Sequence, residues 1–279
     1  MQKKPDIRKL ELMANTVRQD IIRSLVAAGS GHSAGPLGMA DIFTALYGYA
    51  LKHDPKRPDW QERDRVVLSN GHICPVLYAT MANAGYFPKE ELLTLRKLGT
   101  RLQGHPHRTE LPGLESTSGP LGSGLSQAAG MAYALKLDRK PNRVWCLCSD
   151  GEQQEGNIWE GVQFAAKHKL DNLVCVMDRN YIQIDGNTED VMPLDPLDKK
   201  YESHNWNVIQ IDGNDMAAVV AALDRARENK GKPLMILAKT VPGKGVTFME
   251  GDYLWHGRPP KPDEAEKAIA ELTAARGSP

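Results

Sequence analysis

The sequence predicts an α/β fold, a doubly wound and mostly parallel sheet flanked by helices. Three observations predict it. Short apolar or β-branched runs recur at residues 65–69, 143–149, 173–177, 207–211 and 233–241. Segments with helical periodicity separate them, the pattern of a parallel sheet covered on both faces. Polar segments rich in Gly, Asn and Asp follow four of the runs, where open α/β sheets place their ligand loops.

The elements follow in order. Ile7, Leu10, Ala14, Val17, Ile21, Leu25 and Ala28 recur at spacings of three and four, which marks one face of a helix over residues 7–28. Gly29 ends it, because the glycines that follow continue a helix poorly. Residues 39–51 read as a second helix. Residues 65–69 (RVVLS) form a strand that stops at Asn70-Gly71. Residues 75–84 and 88–98 read as helices. A Gly/Pro/His/Ser stretch then spans residues 99–124, longer than an ordinary connection and of the kind that often carries function. The next helix carries Leu121, Leu125, Ala128, Ala132 and Leu135 on one face. Residues 143–149 (RVWCLCS) are a buried strand, 156–167 a helix with Ile158, Val162 and Ala165 aligned, and 173–177 (LVCVM) a strand. Residues 207–211 form a further apolar run, 216–227 a helix, 233–241 a strand and 261–276 a polar helix. Neither a repeat nor a linker interrupts the pattern, so residues 1–279 read as a single domain.

Composition excludes several classes. With 35 basic and 35 acidic side chains the net charge is zero, and no long Lys/Arg run offers a nucleic acid an electrostatic footprint. No apolar stretch approaches the ~18 residues of a membrane span. The N-terminus shows no apolar signal-peptide core, and Cys74, Cys146, Cys148 and Cys175 form no C-x-x-C pair. The expectation is buried thiols in a cytoplasmic protein. Cys146 and Cys148, two apart in a strand, are expected on one face.

Glycine clusters that carry histidines stand out. In residues 149–152 (SDGE), Asp150 closes an apolar strand, Gly151 allows a sharp turn and a close ligand, and a helix starts near Gly156 with an N-terminus that favours an anion. Asn180, thirty positions after Asp150, again follows an apolar strand. A carboxylate and an amide oxygen on neighbouring strands suit Mg²⁺ or Ca²⁺, with ligand phosphates completing the octahedron. Spacing alone leaves a second reading equally open: Asp150 as a turn or capping residue and Asn180 in an unrelated turn.

Residues 149–161 (SDGEQQEGNIWEG) and 173–186 (LVCVMDRNYIQIDG) resemble the thiamine diphosphate motif of the transketolase family, a Gly-Asp-Gly with an Asn about thirty residues later. Residues 30–38 (SGHSAGPLG), 69–72 (SNGH), 104–108 (GHPHR), 117–132 (TSGPLGSGLSQAAGMA) and His256-Gly257 match further stations of that family in the same order. The resemblance implies that Asp150, Asn180 and the Ile182 carbonyl hold Mg²⁺, replaceable by Ca²⁺ or Mn²⁺, on the diphosphate of thiamine diphosphate. It implies that Gly151 lets the backbone meet the phosphates, that His72 contacts the diphosphate, and that Gly119, Pro120 and Leu121 border the pyrimidine. His32, His105 and His256 are then the catalytic histidines lining the substrate channel, and Glu155 a contact between subunits. Imidazoles suit polyol substrates because they donate, accept and transfer protons near neutral pH. Two positions depart from the family: Ser149 replaces the first Gly of the motif, and Ser33 replaces a Pro after the first His.

The resemblance covers only the family's N-terminal, diphosphate-side domain; the pyrimidine-side domain, with the glutamate that activates the cofactor, has no counterpart in these 279 residues. The expected function is therefore the N-terminal subunit of a split transketolase, active with a separate C-terminal subunit in an α2β2 assembly and moving a two-carbon ketol unit between sugar phosphates. A dehydrogenase reading fails because Gly119-Pro-Leu-Gly122-Ser-Gly124 is not G-x-G-x-x-G after a strand. The α-subunit of a 2-oxo acid dehydrogenase lacks the stations at residues 30–38 and 104–106. A non-catalytic paralogue is a third alternative, against which the metal positions and channel histidines stand. A transketolase for an unusual sugar phosphate is the remaining variant.

Overall fold

The computed structural model describes residues 4–276; the first three and last three residues, including the Gly277-Ser-Pro tail, lie outside it. Helix α1 spans Ile7–Ala28. The Asp6 carboxylate accepts from Lys9 N at its start, and Gly29, at φ 62°, ends it with its N–H on the Leu25 and Val26 carbonyls. Leu10, Ala14, Val17, Ile21 and Leu25 are buried as their spacing predicts.

The expected second helix is instead three pieces: α2 (Ala34–Gly38), α3 (Ala40–Ala45) and a π-helical turn over Leu46–Ala50. The buried Arg18 forks onto both oxygens of Asp41, at 3.2 and 2.5 Å, and ties α1 to α3. Strand β1 (Arg65–Leu68) leads to α4 (Cys74–Ala84). The helix expected over residues 88–98 is only a 3-10 turn at Lys89–Thr94, because Arg96 and Gly99 turn left-handed at φ 59° and 81°.

Helix α5 (Ser123–Leu137) begins after Leu121, not at it: Gly122 sits at φ 84°, outside helical geometry. Strand β2 (Val144–Ser149), α6 (Gly156–Lys167) and β3 (Leu173–Arg179) follow. A small hairpin of β4 (Ile182–Gln183) and β5 (Gly186–Asn187) comes next, then α7 (Thr188–Val191) and α8 (Leu197–Ser203). The sequence reading missed these; two-residue strands are too short to show alternation. Then come β6 (Asn207–Asp212), α9 (Met216–Glu228), β7 (Leu234–Lys239) and α10 (Pro262–Arg276).

The main sheet has the order β1-β2-β3-β7-β6, and every pairing in it is parallel. Its residues alternate between two cores. Leu68, Leu147, Val174 and Ile236 join α1, α3, α4 and α9 on one face. Val67, Cys146, Cys148, Cys175 and Met235 join α5, α6 and α8 on the other. Burial on both faces is why these strands read as unbroken apolar runs. All four cysteines are buried and free. No helix among the described residues is long and apolar enough to cross a membrane.

Candidate active site

Polar segments leave β1, β2, β3 and β7 at their carboxyl ends, and the candidate residues gather there. After β1, Ser69 and Asn70 are buried and a 3-10 turn over Gly71–Ile73 presents His72. Gly71 is required by a close approach: a Cβ there would lie 2.6 Å from Ser118 Cβ, 3.0 Å from Gly119 N and 3.2 Å from His105 Cδ2. This packing brings His72, His105 and the Gly119 loop together. His32, between α1 and α2, and His256, after the Tyr253–Trp255 turn, complete the group. The His32 ring lies 4.8 Å from that of His72 and 5.4 Å from that of His256, and the last two are 5.4 Å apart.

The pKa of each of these four histidines is lowered, which favours the neutral imidazole. Burial first, then the charges of His256, Arg96 and His105, push the His32 imidazole from the usual 6.5 down to about 4. Burial and the neighbouring imidazoles drive His72 well below its ordinary value. Burial and Arg96 lower His105, and burial lowers His256. Buried Nδ1 of His32, Nδ1 of His256 and both polar atoms of the Asn70 amide have no hydrogen-bond partner. Buried polar groups are ordinarily satisfied, and these open atoms, unlike those of Thr44, Thr80 and Trp145, cluster in one group where a polar ligand could meet them. The other histidines are engaged elsewhere: His53 with Tyr86 and the Tyr47 carbonyl, His168 against the Tyr133 and Phe164 rings, His204 with the Lys200 carbonyl, and half-buried His107 with Thr109.

The acidic half of the site lies on the next strands. Ser149 pairs with Asp178 across β2 and β3, so Asp150 and Asn180 leave neighbouring strands together. The buried Asp150 carboxylate accepts from Gly151 N at 2.7 Å, Tyr181 N at 2.8 Å and Arg179 Nη1 at 3.1 Å. The Asn180 amide donates to Asp178 at 2.8 Å, and its oxygen accepts from Ile182 N at 3.0 Å. Burial lifts Asp150 to about 6 against the pull of Arg179. Burial also lifts Asp178 to about 7, opposed by the Thr240 hydroxyl and reinforced by Asp150. Gly35 joins the two halves: a Cβ on it would meet Ile73 at 2.9 Å and Asp178 at 3.8 Å.

This donor set fits a divalent cation on a diphosphate. Asp150 and Asn180 offer hard oxygens, and no cluster of three His, Cys, Asp or Glu able to hold a metal occurs among the described residues. A cation here needs ligand oxygens to complete its shell, the usual Mg²⁺ arrangement with phosphates. A Cβ on Gly151 would touch only Gln183, at 3.5 Å, so its outer face is open.

Several residues with a part in the site carried no role in the sequence reading. Fully buried Glu152 accepts from the Ser69 hydroxyl, from Gly122 N at 2.6 Å and from Ser149 N at 3.1 Å. Arg179 spans Asp150, Thr188, Glu189 and Asp195. Asn70 and Asp178 are the other two. Their common signal was a charged or amide residue close to the carboxyl end of an apolar run. Glu155 and Leu121 are exposed, and a Cβ on Gly122 would lie 2.8 Å from Glu155 Cβ.

Residues 10–275 match the family described as "Transketolase, thiamine diphosphate binding domain". The chain is 41% identical over 263 residues to the "6-deoxy-6-sulfo-D-fructose transketolase subunit SqwG" of Clostridium sp. (strain MSTE9), covering 94% of this chain and 96% of that one. It is 39% identical over 265 residues to one of the subunits of the apulose-4-phosphate transketolase of Actinobacillus succinogenes, covering 95% and 96%. Against the transketolase of Homo sapiens it is 38% identical over 273 residues, covering 96% of this chain but 43% of that protein. The crystal structure of transketolase from Campylobacter jejuni superposes with a TM-score of 0.90 at 35% identity, over 98% of this chain and 43% of that one. The chain thus spans less than half of the full-length enzymes and nearly all of the separate subunits. It belongs to the transketolase family and corresponds to that family's N-terminal, thiamine diphosphate-binding part.

Proposed function

We propose that this chain is the N-terminal subunit of a two-chain transketolase. It works as one thiamine diphosphate-binding domain in the cytoplasm, with Mg²⁺, and completes its site with a C-terminal subunit in an α2β2 assembly. The observation that carries the reading is the group of neutral histidine rings with unpartnered buried nitrogens, on the same sheet edge as Asp150 and Asn180. Four free, buried cysteines support a reducing compartment. Exposed Leu121, Ile184 and Leu254 on loops support a partner surface.

Asp150, Asn180 and the Ile182 carbonyl would hold the cation, Gly151 the phosphates, and His72 a diphosphate oxygen. Gly119, Pro120 and Leu121 would border the pyrimidine, and Glu155 would meet another subunit. Bound thiamine diphosphate supplies the nucleophilic carbon and electron sink that ketol cleavage requires. His32, His105 and His256 do the proton work. A neutral imidazole presents one lone pair and one N–H, so it can take a proton from a substrate hydroxyl and return it to a carbonyl oxygen. Burial of His32 and His256 keeps them in that form and limits competing water.

The relatives matched over their whole length carry the names of a sulfosugar and apulose 4-phosphate, which favours an unusual sugar over a pentose phosphate pathway substrate. Co-purification with a candidate C-terminal transketolase subunit from the same source, loading with cofactor and Mg²⁺, and assay of ketol transfer to an aldose phosphate tests the reading. Xylulose 5-phosphate and 6-deoxy-6-sulfofructose are the first donors to compare. A loaded complex inert towards every ketose refutes it.

A further inference from the structure

Arg179 is the last residue of β3, and its side chain is 5% exposed. Its Nη1 donates to Asp150 Oδ2 at 3.1 Å and to the Thr188 hydroxyl at 3.0 Å. Its Nη2 donates to Glu189 at 2.6 Å and lies 3.1 Å from an Asp195 oxygen. The guanidinium also lies over the Tyr181 ring, 3.8 Å from its centroid. Thr188, Glu189, Asp195 and Tyr181 therefore hold the fork without help from Asp150. Tyr181 serves the same carboxylate oxygen through its backbone. That residue is left-handed at φ 64°, and its N–H donates to Asp150 Oδ2 at 2.8 Å. Oδ1 accepts from Gly151 N alone, at 2.7 Å. A carboxylate offers about four lone-pair sites, two on each oxygen. Both sites of Oδ2 are thus filled, and Oδ1 keeps one open. A cation that approaches Asp150 meets a single available oxygen.

We propose that Arg179 is a positioning residue that sets the cation specificity of this site: by occupying Oδ2 it confines Asp150 to single-oxygen coordination, which favours Mg²⁺ over Ca²⁺. Mg²⁺ is small, demands near-octahedral geometry, and is commonly held by one or two carboxylates plus phosphate oxygens. Ca²⁺ has a larger, more flexible shell and takes carboxylates through both oxygens. Emptying a lone pair on Oδ2 therefore adds a ligand atom that Ca²⁺ uses and Mg²⁺ does not. Charge alone gives a different result. Removing a guanidinium from beside a cation site strengthens the attraction for every divalent ion alike, so a changed ratio between the two ions is the mark of lone-pair occupancy. The inference rests on the proposed cation site at Asp150 and Asn180; the sugar that is transferred does not enter it.

Cofactor binding, not turnover, tests it. The full chain, in complex with a candidate C-terminal subunit, is titrated calorimetrically with thiamine diphosphate at a series of Mg²⁺ or Ca²⁺ concentrations, which gives an apparent affinity for each ion. Arg179→Met should raise the ratio of Ca²⁺ to Mg²⁺ affinity roughly 10-fold, the lower end of what altering the partner of a metal ligand does. Arg179→Lys, which returns the charge and a donor, should bring the ratio part of the way back. Arg179→Gln, shorter and uncharged, takes the place of the methionine variant if that one does not fold, with the same rise expected. Glu189→Gln loosens the network on the side away from Asp150 and should lower stability while the ratio stays at the native value. Equal changes for both ions in the Arg179 variants, or a ratio shift as large in Glu189→Gln, overturn the proposal. Native cofactor binding that needs no cation removes the metal site and the proposal together. A shifted ratio in a complex that transfers no ketol unit supports the proposal and refutes the transketolase reading.

Discussion

Glu152→Ala isolates the contact that holds the cofactor-side loops together. The Glu152 side chain is fully buried, and its two oxygens serve three donors on three separate segments: Ser69 after β1, Ser149 at the end of β2, and Gly122 before α5. Alanine leaves two backbone N–H groups and one hydroxyl without an acceptor. At ~1–3 kcal/mol for each unsatisfied group the gross loss is ~3–9 kcal/mol. Removing a carboxylate that burial already disfavours returns part of it, several kcal/mol by the usual desolvation cost. The expected net destabilisation is about 2–4 kcal/mol. For a chain of this size that lowers the melting temperature by roughly 4–16 °C. Glu152→Gln keeps one oxygen but sets an NH₂ against a backbone donor, so its loss should be smaller yet measurable. Denaturant unfolding of the full chain gives the stability change. Thiamine diphosphate titration should show weaker binding, because Gly122 adjoins the Gly119–Leu121 segment. An alanine variant within about 0.5 kcal/mol of the native chain, the range of an ordinary surface change, refutes the reasoning.

Three other predictions follow from the same geometry. Asp150→Ala should abolish Mg²⁺-dependent cofactor binding in the complex while the chain stays folded, since Arg179 keeps Glu189 and Asp195; unchanged calorimetric binding would refute the metal assignment. The His32 ring should titrate near 4 by NMR. Because burial depresses its pKa, the stability it contributes is complete above about pH 6.5 and declines as the pH falls towards 4; a midpoint above 6 contradicts the buried, neutral assignment. Gly124→Ala would place a Cβ 2.5 Å from Ser69 Cα, so overpacking should destabilise the chain by ~1–3 kcal/mol in denaturant unfolding; native stability would show that the α5–β1 contact yields.

Much of the fold was legible in the sequence because β1, β2, β3 and β7 are buried on both faces and read as apolar runs. Helix α1 showed its core face and its glycine stop for an equally local reason. Where the reading erred, a long-range contact or a left-handed residue had intervened. Gly122, held by Glu152 from another loop, delays α5 past Leu121. Arg96 and Gly99 stop the turn that should have run to residue 98. Strand β3 continues through Asp178 and Arg179, charges that look like a loop until Thr240, Asp150 and Glu189 pair with them.

The sequence by itself determined the alternation of strand and helix, the polar segments at the strand ends, and the ordered motifs of the transketolase family. These depend on periodicity and residue type, which are local properties. Only the tertiary structure decided which of those segments meet. Strand register sets Asp150 beside Asn180, and glycine contacts bring His105 and Arg96 to the His32–His72 pair. Burial then sets the charge of each group: the imidazoles become neutral and the carboxyls of Asp150 and Asp178 rise, because desolvation acts on a side chain through everything packed around it.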